Sequence, residues 1–120
     1  MSGCRGEIDP VEKKKRMKQV KITVLKTSFE KDLAERYAMP GLGPCTAMKE
    51  GQVFVTDLKK PDGFCDTAWK CIFQYVFALA NGGGADGFFY GDWIREPYTA
   101  VSCCNDGLRP VYFKIELADK

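Results

Sequence analysis

Residues 64–81 hold a long helical pattern, and its one-sidedness limits the folds open to the chain. Projected at about 100° per residue, Cys65, Trp69, Ile72, Val76 and Leu79 form an apolar stripe, Lys70 and Gln74 lie opposite, and Asn81-Gly82 supplies a stop. Such a helix must lay its stripe on another apolar surface. The remaining sequence offers strands for that purpose. Val20-Lys21-Ile22-Thr23-Val24 alternates with the period of a half-buried strand. Residues 52–56 are rich in Val and Phe, and Lys59-Lys60-Pro61-Asp62-Gly63 closes them as a turn. Residues 99–104 and 111–117 are strand-like runs around Asn105-Asp106-Gly107, and an Asp-Gly pair in that setting signals a hairpin.

Thr27-Ser28-Phe29-Glu30 has the spacing of a capping box, predicting a second helix over residues 28–38 with Phe29, Leu33 and Tyr37 on one face. Met39-Pro40-Gly41-Leu42-Gly43-Pro44 forbids its continuation. The order strand, helix, strand, helix, strand, strand predicts a small single α+β domain, with a mostly antiparallel sheet of about four strands, two helices and a C-terminal β-hairpin. Residues 82–97 read as a long loop. Its Phe88, Phe89, Tyr90 and Trp93 suit either a lid or contact surface, or a plain cover for the sheet.

With 120 residues, 45% of them hydrophobic, one domain can bury a core, and residues 19–120 are assigned to it. Residues 1–18, with Lys13, Lys14, Lys15, Arg16 and Lys18, read as a flexible basic leader. A net charge of +2 and the lack of aromatics among those basic residues argue against nucleic acid as a partner. No apolar stretch approaches the roughly 20 residues of a membrane span, and none resembles a signal-peptide core, so the expectation is a cytoplasmic protein without a membrane partner.

Six cysteines and no histidine confine the chemistry to sulfur, carboxylate or backbone. In a reducing compartment such thiols are core residues, metal ligands or reactive groups rather than a disulfide framework. Cys65 falls at the start of the long helix, where unpaired N–H groups and the helix dipole favour a thiolate, although its place on the stripe also suits a small core residue. Cys71 projects roughly 120° from Cys65 and is assigned to packing or surface. Cys103 and Cys104 are neighbours on a strand and face opposite ways, so one of them joins a given site: Cys104, with Cys103 in reserve if the strand end is bulged. Cys45, at the exit of the Pro/Gly loop, completes a trio at element boundaries, where ligands usually come from.

No Cys-x-x-Cys or ferredoxin spacing is present, so ligand type carries the argument: thiolates suit zinc, copper(I) or iron–sulfur clusters. Three thiolates leave one position for Cys4, Asp106 or an outside ligand. Gly82-Gly83-Gly84-Ala85-Asp86-Gly87 follows a helix and opens none, unlike a dinucleotide fingerprint. Asp106 and Arg109 bracket the hairpin turn, where they suit a mutual ion pair or an anion contact. Glu30, Asp62 and Asp66 read as helix-start residues.

Together these residues resemble a family of short, uncharacterised bacterial and archaeal proteins, the TIGR04076 family. The resemblance runs from about residue 18 to the C-terminus. It is carried by Val20-Lys-Ile-Thr-Val24, Cys45 with Lys49-Glu-Gly-Gln52, Gly63-Phe-Cys-Asp-Thr-Ala-Trp69, Gly82-Gly83, and Cys103-Cys-Asn-Asp-Gly-Leu-Arg-Pro-Val111 leading into Phe113-Lys-Ile-Glu116. It implies recurring cysteines at Cys45, Cys65 and Cys104, with no counterpart for Cys4 or Cys71, and it implies no particular reaction.

The first functional expectation is a small metal-binding protein in which Cys45, Cys65 and Cys104, with Cys103 in reserve, hold an iron–sulfur cluster ahead of zinc. The cluster would serve electron transfer with a redox partner protein or a reaction at an open iron, shielded by the loop from Phe88 to Trp93. The alternative is metal-free thiol redox or sulfur transfer, with Cys65 as nucleophile and Cys104 or Cys45 as resolving thiol. A zinc-binding or assembly module with core cysteines is the third. A three-thiolate site is also compatible with completion at a subunit interface in a homo-oligomer.

Overall fold

A computed structural model describes residues 17–89 and 92–119. Its elements run β1 (Val20–Thr27), α1 (Lys31–Tyr37), β2 (Val53–Thr56), α2 (Asp66–Ala80), β3 (Thr99–Cys103) and β4 (Val111–Leu117). The strands form one four-stranded sheet in the order β2-β1-β4-β3 with every neighbouring pair antiparallel, the α+β architecture expected. The leader lies outside the described residues except for its end, where Met17 packs against the core and the Lys18 N–H donates to the Ala80 carbonyl at 2.9 Å. Cys4 and Tyr90 also lie outside them.

Register places Ile22 opposite Ile115, Val24 opposite Phe113, and Ala100 opposite Ile115, so one sheet face is apolar across three strands. Helix α2 lies on that face, chiefly over β3 and β4. Its buried residues are Ala68, Ile72, Val76, Leu79 and Ala80. The stripe is therefore turned slightly from the one read in the sequence: the small Ala68 and Ala80 make the close approach, while Cys65 and Trp69 stay half-buried on its shoulder. Each full burial of an Ile, Val or Leu contributes about 1.5–3 kcal/mol, so this interface dominates the stability of the fold.

The capping box does not form. Thr27 is the last residue of β1, and Ser28 and Glu30 donate their N–H groups to the carbonyls of Pro110 and Leu108 at 2.8 and 2.9 Å. Backbone pairing with the hairpin connection thus replaces the cap, and α1 starts at Lys31 without a side-chain cap. Leu33 and Tyr37 point to solvent, and Ala34 is the buried residue of α1. The hairpin is real, but residues 104–110 connect its strands, in place of a two-residue Asp-Gly turn. Asp106 closes the connection with its side chain: Oδ1 accepts from the N–H groups of Leu108 and Arg109, both at 2.9 Å.

Candidate functional site

A cavity of about 270 Å³ opens where three connections meet, and Cys45, Cys65 and Cys104 all line it. Its apolar floor is Met48, Ala68 and Val111, each nearly inaccessible to solvent. Thr67, Asn105, Asp106 and Arg109 complete the wall. The three cysteines arrive from separate parts of the chain: Cys45 from the Pro/Gly loop, Cys65 from the start of α2, and Cys104 from the first position after β3.

Local structure fixes each sulfur. Cys65 is the N-cap residue of α2, with extended backbone (φ −65°, ψ 127°); its carbonyl accepts the Trp69 N–H at 2.9 Å, and its sulfur makes no capping bond. The preceding Phe64 anchors this helix start through ring contacts with Phe54, Trp69 and Phe113 at 5.0, 5.9 and 5.4 Å. The Cys104 N–H donates to the Val111 carbonyl at 3.1 Å, and the Val111 N–H donates back to Cys104 Sγ at 3.4 Å. In the loop, the Ala47 N–H donates to Cys45 Sγ, also at 3.4 Å. Backbone N–H groups directed at cysteine sulfur are among the features that tune sulfur-bound metal centres.

Cys103 and Cys71 do not line the cavity. Cys71 packs half-buried against the core, in keeping with its assignment to packing. Burial, and after it the thiols of Cys104 and Cys71, push the Cys103 thiol up, so Cys103 favours the neutral form. Among the described residues of the aromatic loop, none lines the cavity. Phe88 and Phe89 contact Tyr75, farther along α2, at ring distances of 5.3 and 5.7 Å, and Trp93 stacks on Phe89 at 6.2 Å with most of its surface in solvent. Of the helix-start carboxylates, Asp66 opens α2 and pairs with Lys60 Nζ at 2.8 Å, and that ammonium holds its carboxyl below the usual range.

Among the described residues, no three His, Cys, Asp or Glu side chains converge closely enough to hold a metal ion. A single tetrahedral zinc with Zn–S bonds of about 2.3 Å would draw its sulfurs to about 3.8 Å from one another. The donor set therefore fits a sulfur-loving centre in its chemistry. Asp106 lines the same wall, but its Oδ1 is engaged by the hairpin connection.

Sequence reading singled out Arg109 for an ion pair or an anion contact and missed its link across the wall. Arg109 donates from Nε to the Gly43 carbonyl at 2.9 Å and from Nη2 to the Pro44 carbonyl at 3.2 Å, linking the hairpin connection to the loop before Cys45. No ion pair joins it to Asp106; the contact between them is the backbone one. The separation in sequence hides such a link, and its only sequence signal is a long donor next to a loop of Pro and Gly carbonyls.

No protein-family model, curated protein or solved structure matches the chain. Fold and site define it by geometry, as a two-layer α+β domain with a thiol-lined cavity at one end of its central helix. Among the described residues no helix is long and apolar enough to cross a membrane.

Proposed function

We propose that Cys45, Cys65 and Cys104 hold an iron–sulfur cluster and that the protein works in electron transfer or related redox chemistry. The observation supporting this reading is that three thiols from three parts of the chain line one cavity of about 270 Å³. Thiolates are the donor type that iron–sulfur clusters take. The reading also keeps the chain with the short cysteine-containing proteins it resembles, whose recurring positions match the same trio.

When bound, such a cluster supplies one-electron transfer and, at an iron without a protein thiolate, a position for an outside ligand. The protein's own part follows from the wall. Met48, Ala68 and Val111 exclude water from the inner side. The N–H groups of Ala47 and Val111 hold the sulfurs of Cys45 and Cys104, a lever on reduction potential, and Cys65 stands at the amino end of α2. Thr67 and Asn105 give the cavity a polar rim.

The deciding experiment is iron and acid-labile sulfide analysis, with a visible absorption spectrum, on protein purified without oxygen. Iron and sulfide in comparable amounts support the proposal. Zinc without colour replaces it with a single-ion site that draws the thiols together on binding. Protein free of metal after anaerobic reconstitution turns the site to thiol chemistry, with Cys65 as nucleophile.

A further inference from the structure

Among the described residues, the segment from residue 39 to residue 47 is joined to other elements by hydrogen bonds at one place, the Arg109 guanidinium. Its other hydrogen bonds among the described residues stay within it: the Leu42 N–H donates to the Met39 carbonyl at 3.4 Å and the Ala47 N–H to Cys45 Sγ. Pro40 and Pro44 have no N–H, and Gly41 and Gly43 have no side chain, so the segment has fewer groups for anchoring than an ordinary loop of its length. Met48, buried in the core, fixes its far end.

We propose that Arg109 is the positioning residue of the cavity, the clamp that holds Cys45 at a set distance from Cys104. Both ends of the clamp are defined. Arg109 projects from the residue 104–110 connection, which Asp106 knots through the N–H groups of Leu108 and Arg109 and which the Cys104–Val111 backbone pair ties to the sheet. Its guanidinium grips the carbonyls of Gly43 and Pro44, the two residues immediately before Cys45. A planar fork with divergent donors can serve two successive carbonyls at once; an ammonium, as a point charge on a flexible stem, cannot hold both in that geometry. Arg109 is half-buried in the cavity wall, so its bond to Gly43 is partly sheltered from competing water, while the bond to Pro44 is exposed. The clamp acts on free thiols as on any metal they take up, so it goes beyond the cluster assignment and is tested without it.

The test is bridging of cysteines by dibromobimane, a bifunctional thiol reagent, in reduced, metal-free protein, with the bridged peptides mapped by mass spectrometry. The native chain should yield a Cys45–Cys104 bridge. In Arg109→Gln the bridging rate should fall about tenfold, the population factor corresponding to one charge-assisted hydrogen bond. Arg109→Lys should fall between the two. The alkylation rate of Cys71, which lies outside the cavity, reports on the fold and should stay constant. A native-like bridging rate in Arg109→Gln at constant Cys71 reactivity overturns the proposal, as does a native chain that forms no Cys45–Cys104 bridge. If Arg109→Gln loosens the whole fold and Cys71 reacts faster, Arg109→Lys decides by the same comparison. Iron analysis of the native protein is independent of all these outcomes, so failure of the clamp and failure of the cluster assignment are told apart.

Discussion

Truncating Phe64 to alanine separates two things that aromatic residues contribute here, burial and ring contact. Phe64 is 3% exposed and touches three other rings, at 5.0, 5.4 and 5.9 Å. Removing a buried phenyl ring costs about 3–5 kcal/mol, since the neighbours relax only partly into the space. For a domain of this size each kcal/mol lowers Tm by about 4 °C, which places the expected drop for Phe64→Ala at roughly 12–20 °C. Phe77, within α2 itself, is 51% exposed and among the described residues has one ring contact, to Phe73 at 6.1 Å. Phe77→Ala should cost about 1 kcal/mol or less, or roughly 4 °C. Thermal melts of the reduced proteins followed by circular dichroism give both numbers. A Phe64→Ala drop under about 5 °C, or one no larger than that of Phe77→Ala, would refute the claim that this residue nails the start of α2 to the sheet. The position of Cys65 rests on that claim.

Other perturbations probe the site and its flanks. Cys65→Ser and Cys104→Ser should each abolish iron and sulfide binding while Cys71→Ser and Cys103→Ser retain it, as measured after anaerobic reconstitution. Gly84 has φ +99°, and a Cβ there would sit 3.0 Å from Leu79 Cδ2 and 3.3 Å from the Phe88 ring; Gly84→Ala should therefore lose more than about 1 kcal/mol in urea unfolding. Lys60→Met should let the Asp66 carboxyl rise toward its ordinary value, read from an NMR pH titration. Because the folded state lowers that titration, the pair stabilises above the unfolded carboxyl's range and its contribution fades as pH falls through the folded one, so the urea-unfolding stabilities of the two proteins should converge there.

The parts of the structure legible in the sequence were those with local periodicity. Alternation marked Val20 to Val24, the 3.6-residue stripe marked α2, and turn residues marked the hairpin. The cavity trio was legible for a related reason: Cys45, Cys65 and Cys104 each adjoin a loop or helix start that sequence can place, and the fold brings those boundaries together. Phe29, Leu33 and Tyr37 misled because spacing on a seven-residue helix says which residues share a face, and not whether that face meets the core. Thr27 misled because pairing of residues 28 and 30 with the carbonyls of Pro110 and Leu108 satisfied the local N–H groups better than a side-chain cap. Phe88, Phe89 and Trp93, the described aromatics of the loop, pack farther along α2 than the cavity, and the Arg109 hydrogen bonds escaped notice because they join residues 65 and 66 positions apart.

The strand order β2-β1-β4-β3 puts the last element of the sheet between β1 and β3. On the ribosome, β1, β2, α2 and β3 therefore emerge before the strand that joins the two halves exists as a partner for either. Until β4 is released, β1 and β2 can pair only with each other, and a lone two-stranded hairpin is marginal in water. The apolar face of α2 then has no complete sheet to cover. Folding of this domain is accordingly governed by a long-range pairing, slow for its size, and until β4 emerges the nascent chain depends on its surroundings to keep Ile22, Phe64 and Ile72 apart from other chains.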